Sequence, residues 1–243
     1  MIKALIFDCD GVLVDTERDG HRVGFNRAFK EFGIDAEWSV ELYGRLLLVA
    51  GGKERMRAYF DEFGWPDDAD TDEAKDALIL ALHLKKTEIT AGLVAEGGLP
   101  LRPGIARIVD EAINADVKLG VCTTSNAKFI DAVLDLFGPE RKAKFDFVHA
   151  GDVVAKKKPA PDIYLLALDT LGYLPGECVV IEDSRNGLLA AKGAGLPTLI
   201  TTSTYTVDED FAEADKVVSE LGDPPSVQVT LEDLGVLAAQ AAV

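Results

Sequence analysis

Hydrophobic residues in this chain follow two patterns. Short runs that are apolar nearly throughout, and rich in branched side chains, recur at residues 2–7, 117–123, 145–150, 178–182 and 197–201. Between the later runs, apolar residues at helical spacing predict helices over 104–115, 127–137, 161–171 and 185–194. A strand with one wet face would alternate apolar and polar residues; these do not, so both of their faces must be covered. Such strands, alternating with helices, predict an α/β fold: a doubly wound, Rossmann-like parallel sheet.

The stretch between the first and second strands, residues 16–96, is too long for a single crossover helix. It carries helical spacing nearly throughout, as in Phe25, Ala28, Phe29 and Phe32, and again in Ala77, Leu80, Ala81 and Leu84. An all-helical domain is therefore expected at 16–96, inserted into a discontinuous core of 1–15 and 97–243. Glycines and prolines cluster at GGLPLRPG, 97–104, the expected return hinge. The acidic stretch PDDADTDEAKD, 66–76, fails as a calcium loop. With Asp68, Asp70 and Asp72 as its first ligands, Glu73 stands where glycine is needed and Ile79 where glutamate is needed. A solvated turn and helix N-cap are expected there instead. The segment after Pro224 is expected to be loosely held.

Charge narrows the partners. The 243 residues carry a net charge of -17, which disfavours nucleic acid and anionic membrane surfaces. An anionic ligand would need a metal or a local cationic pocket to overcome that field. The three cysteines, Cys9, Cys122 and Cys178, lie in or beside the apolar runs without metal-site spacing, so buried, reduced thiols are expected. Cys9 sits between two aspartates, which should raise its pKa and make it a poor nucleophile. No apolar run approaches the ~18 residues that span a bilayer, and a soluble, intracellular monomer is expected.

The first strand ends in DCDG. In a parallel sheet, ligands bind beyond the carboxyl ends of the strands, so Asp8 and Asp10 should emerge at the functional edge. CTTSN, ending the second strand, and IEDSRNG, ending the fourth, would bring Thr123, Ser125, Glu182 and Asp183 to the same edge. Lys158 stands just ahead of a proline before the fourth strand. Carboxylate oxygens with open positions are what Mg2+ selects, and a phosphate could complete its shell.

DCDGVLVDT, CTTSN, KKKPAPDIY and VVIEDSRNGLLAAKGAG resemble, in order, the four motifs of the haloacid dehalogenase-like phosphatases, whose helical cap follows the first motif. DCDGVLVDTERDGHR, ELYG, GGKERM and AGDVVAKKKP are similar, more closely, to the CbbY-type phosphatases of plants, algae and photosynthetic bacteria. The resemblance implies removal of the 1-phosphate of xylulose 1,5-bisphosphate, an inhibitory by-product of Rubisco, with Mg2+ as cofactor. It casts Asp8 as nucleophile and Asp10 as general acid and base. It gives Mg2+ to Asp8, the Asp10 carbonyl and Asp183, with Glu182 acting directly or through water, and sets Lys158 and Thr123 on the transferred phosphoryl group. Location would be the chloroplast stroma for a plant or algal protein that has lost a transit peptide, and the cytoplasm otherwise. Alternatives are a phosphosugar mutase such as β-phosphoglucomutase, a phosphoglycolate phosphatase, or a phosphometabolite sensor without turnover.

A bisphosphate requires a second cationic pocket, for which His21, Arg22, Arg45 and the GGKER stretch with Lys53 and Arg55 are candidates. Glycines before basic residues suit an anion at a helix N-terminus, and an ordinary solvated turn fits the same letters. Glu17 is placed either to accept from sugar hydroxyls or to stabilise the first turn of a helix. Thr124 and Ser125 are placed either to touch substrate or to cap the next helix. Trp38 and Trp65 are expected in the core of the insert. One residue more separates Thr16 from His21 than in the related mutases, which weighs against an assisting role for His21 in catalysis.

Overall fold

The computed structural model describes residues 2–49 and 51–241. It divides into two compact units: Met1–Asp15 with Leu99–Val243, and Thr16–Gly98.

The first unit is built on strand β1 (Ala4–Phe7). The second unit holds a π-helical turn (Glu17–His21) and helices α1 (Arg22–Glu31), α2 (Val40–Leu46), α3 (Gly52–Phe63) and α4 (Asp72–Ala95). The first unit resumes with α5 (Ile105–Asn114), β2 (Lys118–Thr123), α6 (Ala127–Asp135), α7 (Pro139–Lys142), β3 (Phe145–Ala150) and α8 (Asp162–Leu171). It ends with β4 (Cys178–Glu182), α9 (Arg185–Gly193), β5 (Thr198–Thr201), β6 (Lys216–Val218) and α10 (Leu231–Ala241).

The sheet is parallel, in the order β3-β2-β1-β4-β5-β6. After β1 the chain builds outward on one side, through β2 and β3, and then crosses to build the other side from β4. The order therefore reverses between β1 and β4, and a crevice opens beyond their carboxyl ends. Every residue of β1 and β4 is buried, which is why both read as unbroken apolar runs. Phe7 aligns with Val121 on β2 and Ile181 on β4, so the residues that follow these three emerge side by side.

Strand β6 escapes the sequence pattern because it is three residues long with one exposed side chain. Among the described residues, the segment after Pro224 is not loose. Val229 and Leu234 are fully buried, and Arg107 donates to the carbonyls of Leu221, Gly222 and Val229.

In the helical unit, Phe25, Ala28 and Phe29 are buried as their spacing predicts, while Phe32 is exposed at the end of α1. The α4 pattern needs correction. Leu80 and Leu84 are 53% and 62% exposed, and the buried stripe is Ile79, Leu82, Lys86, Thr90 and Val94. A helix this rich in Leu and Ala admits more than one apolar stripe, and packing chose the other. Thr71 caps α4 by accepting from the Ala74 N–H at 3.1 Å, the N-cap expected of the acidic stretch. Trp38 lies in the core of this unit, its ring 4.6 Å from Phe25 and 5.1 Å from Phe29.

Candidate active site

Two elements set the floor of the site. β1 stops at Phe7, and the next residue, Asp8, still bonds the β4 backbone through Asp8 N to Ile181 O at 2.9 Å. The chain then turns at Gly11, with φ +81, where a Cβ would lie 1.9 Å from Asp183 Oδ2. Glycine is thus required twice over, by backbone conformation and by the carboxylate against it. Gly187, on the first turn of α9, makes room in the same way for Glu182, whose carboxylate carbon would be 2.0 Å from an added Cβ.

Lys158 is buried, and its ammonium donates to Asp8 Oδ1 at 2.7 Å, Glu182 Oε1 at 2.5 Å and the Cys122 carbonyl at 2.8 Å. The same Glu182 oxygen accepts from the Tyr164 hydroxyl at 2.5 Å, and Glu182 Oε2 accepts from the Asp183 N–H at 3.2 Å. Burial alone would lower the Lys158 pKa, but Asp8 and Glu182 more than offset that and hold it raised. For Asp8 burial dominates. Together with Glu182 and Asp10 it outweighs Lys158 and pushes the carboxyl up to about 8. Burial, with Glu182 alongside, also pushes the Tyr164 phenol well up, so it remains a donor.

Asp10, near enough to help raise Asp8, accepts from the Ser125 hydroxyl. Two carboxylates from one tripeptide are thereby given different surroundings. Asn126, rather than Ser125 or Thr124, caps α6, accepting from the Phe129 N–H at 3.0 Å. Thr123 is buried and uses its hydroxyl oxygen to accept from the Ser125 N–H at 3.1 Å; Thr124 is exposed. Lys157 pairs with Asp152 at 3.0 Å at the surface, leaving Lys158 as the lysine of its triplet in the site. Cys9, Cys122 and Cys178 are buried free thiols; burial, then Asp10 and Asp8, raises Cys9 well above its usual range.

Asp8, Glu182 and Asp183 can each offer an oxygen, all within 4.8 Å of one another. Buried hard oxygens in a cradle kept open by two missing Cβ atoms fit a small divalent cation.

The insert candidates fall into two groups. Glu17 accepts from the Tyr43 hydroxyl, and Tyr43 accepts from Arg55 Nη1 at 2.9 Å. Arg55 is buried and also donates to Leu46 O at 3.1 Å, so its guanidinium braces α2 and α3. His21 is buried, with Nδ1 2.9 Å from Lys86 Nζ; an ammonium only donates, so Nδ1 is the acceptor. His21 ends a π-helical turn, closed by the Arg22 N–H to Glu17 O bond. Lys53 lines a cavity of about 480 Å³ with Arg57 and the acids Glu54, Asp61 and Asp76.

Two residues of the network escaped the sequence reading. Tyr164 lies inside the KKKPAPDIY motif, and nothing local signals the partner of its hydroxyl. Arg102, in the hinge stretch, donates to the Gly11 carbonyl, to Thr201 O at 3.2 Å, to Thr202 O at 2.7 Å and to Ser219 O at 2.6 Å. Its position beside Pro103 and Gly104 reads as hinge chemistry, and no local pattern signals its acceptors.

A family model of haloacid dehalogenase-like hydrolases matches residues 2–195. A CBBY-like protein of Arabidopsis thaliana is 53% identical over 97% of this chain and 74% of its own length. Protein CbbY of Cupriavidus necator is 45% identical over 92% of this chain and 87% of its own. A crystal structure of a mutant CbbY from Rhodobacter sphaeroides in complex with xylulose-(1,5)bisphosphate superposes with a TM-score of 0.84. It is 41% identical and covers 96% of this chain and 99% of that one.

Proposed function

The chain belongs to the haloacid dehalogenase-like hydrolase family, as a sugar-phosphate phosphatase of the CbbY type, and from that premise we propose that it removes the 1-phosphate of xylulose 1,5-bisphosphate through an aspartyl-phosphate, with Mg2+. The observation that carries the mechanism is the separation of two neighbouring carboxylates, Asp8 held by Lys158 and Asp10 by Ser125. Asp8 is the nucleophile: its carboxylate oxygen bonds to phosphorus as the bond from phosphorus to the sugar oxygen breaks. Asp10 gives its proton to that leaving oxygen. It then takes one from the water that attacks phosphorus and releases phosphate, which returns Asp8 as a carboxylate.

Asp8, the Asp10 carbonyl and Asp183, with Glu182 directly or through water, are the residues that would hold Mg2+. The ion would neutralise charge on the transferred group and draw Asp8 into its ionised form. Lys158 adds a fixed positive charge, and the Thr123 hydroxyl donates to a phosphoryl oxygen. Substrate choice is assigned to the helical insert, with Glu17, His21, Lys53 and Arg55 as its polar candidates and Thr124 and Ser125 as those of the core. Removal of a Rubisco inhibitor is the corresponding role in carbon fixation.

The test is incubation of the protein and Mg2+ with a panel that includes xylulose 1,5-bisphosphate, phosphoglycolate and hexose 1-phosphates, following phosphate release and isomer formation together. Preferred release from the bisphosphate supports the proposal. Isomer formation without release would make the protein a mutase, preference for phosphoglycolate would replace the substrate, and binding without turnover would make it a sensor.

A further inference from the structure

Glu182 accepts from Lys158, Tyr164 and the Asp183 N–H, and one of these partners has no part in the mechanism above. Glu182 Oε1 receives two short hydrogen bonds, from Lys158 Nζ and from Tyr164 Oη, both at 2.5 Å. Tyr164 is fully buried on α8, with Lys158 Nζ 5.0 Å from its ring centroid. The ring packs in the core cluster with Ile6, Cys122, Ile163 and Val180, and its hydroxyl ends on Glu182. A phenylalanine would keep that packing, so the hydroxyl is a separable feature.

We infer that Tyr164 is a positioning residue whose hydroxyl offsets part of the Glu182 charge, holding that carboxylate back from the metal cradle and leaving Lys158 shared with Asp8. A carboxylate with two competing positive neighbours, an ammonium and a divalent cation, divides itself according to its own charge density. A neutral donor on Oε1 lowers that density without adding charge. When the hydroxyl is removed, Glu182 gains hold on a cation among Asp8, Glu182 and Asp183, and draws Lys158 away from Asp8, whose bond is 2.7 Å against 2.5 Å to Glu182. The site then binds its metal more tightly and turns over more slowly. The turnover half of this inference rests on the roles proposed for Asp8 and Lys158; the metal half does not.

The experiment is Tyr164→Phe, with calorimetric titration of Mg2+ into the substrate-free protein, a Mn2+ titration read by electron spin resonance, and steady-state kinetics on a phosphate ester. Expected are a melting temperature lower by roughly 3–10 °C, the cost of one buried hydrogen bond to a charged acceptor in a chain of this size, metal binding tighter by ~3-fold or more, and kcat lower by ~10-fold with little change in KM. Loss of a merely structural bond would loosen the carboxylates and weaken metal binding, so the sign of the affinity change decides. Unchanged or weaker metal binding overturns the inference, and so does wild-type kcat. Asp183→Asn, run alongside, tests the cradle itself. Undiminished metal binding in that variant defeats the proposed cradle and with it the metal half of the inference, whereas diminished binding there with unchanged binding in Tyr164→Phe defeats the Tyr164 inference alone.

Discussion

At the scale of single residues, the site works by giving like groups unlike surroundings. Asp8→Asn is expected to reduce phosphate release below ~1% of wild type, because an amide neither attacks phosphorus nor holds a hard cation well. Circular dichroism should show an unchanged fold, and higher residual turnover would remove Asp8 from the nucleophile role. The raised Asp8 pKa would also set the pH dependence of the proposed metal binding. Burial keeps the carboxyl protonated below about 8 in the metal-free protein, so a cation must displace that proton. Mg2+ affinity should therefore strengthen as pH rises, by up to ~10-fold per unit, and level off above the Asp8 pKa. Calorimetry across buffers of different ionisation heat reads the released proton directly, and affinity flat in pH would show that Asp8 is already ionised. Gly11→Ala places a Cβ 1.9 Å from Asp183 Oδ2 and forces φ +81 on an alanine. Loss of both turnover and metal binding is expected, with ~1–2 kcal/mol of destabilisation in denaturant melts.

At the scale of elements, one arginine closes the edge of the sheet. Arg102 gathers the carbonyls of Gly11, Thr201, Thr202 and Ser219, joining the turn after β1 to the ends of β5 and β6. Val14 and Leu101 pair antiparallel, and the Arg102 N–H donates to Leu13 O at 2.9 Å, so the chain leaves and re-enters this unit side by side. Arg102→Ala strips the guanidinium from several carbonyls at once. About 3 kcal/mol is expected, since one bond to a charged donor is worth ~1.5–3 kcal/mol and water replaces some. Chemical denaturation measures it, and a loss under 1 kcal/mol, within the ~1 kcal/mol of an ordinary substitution, would show the contacts to be idle. Arg102→Lys keeps the charge but not the planar fork, and should recover less than half.

At the scale of the whole molecule, the chain carries a charge of -17 and is proposed to handle a substrate that is itself strongly anionic. Cations placed locally must do what the overall field opposes. Lys53→Ala is expected to lower kcat/KM for xylulose 1,5-bisphosphate at least ~10-fold more than for an aryl phosphate. Equal losses on both substrates would assign Lys53 to holding the insert together. The helical unit also carries an acid-sensitive group: burial, reinforced by Lys86 and Lys53, lowers His83 to about 4. An unfolded histidine takes its proton near 6.5, so the stability this neutral ring contributes is complete above that pH and is lost as pH falls toward 4. His83→Gln should flatten that limb of the pH–stability curve, and an unchanged limb would show that His83 is not its source.

The parallel sheet, the helical insert and the positions of Asp8, Asp10, Lys158, Glu182 and Asp183 were all legible in the linear chain. Each rests on a local signal: an apolar run, a helical period, a carboxylate at the point where a strand stops or, for Lys158, a place just ahead of a proline. Tertiary structure alone decided who meets whom. Lys158 lies 150 positions from Asp8, and their bond exists because β2 pairs with β1 on one side and with β3 on the other, so that the segment after β3 returns to the end of β1. The Tyr164 hydroxyl, the Arg102 carbonyl cluster and the burial of Arg55 against Tyr43 leave no mark in composition or spacing, because each is a contact between elements. The buried face of α4 was ambiguous for the same reason. Periodicity says that a helix has an apolar stripe, but where more than one exists, only the surface packed against it selects the stripe that goes inside.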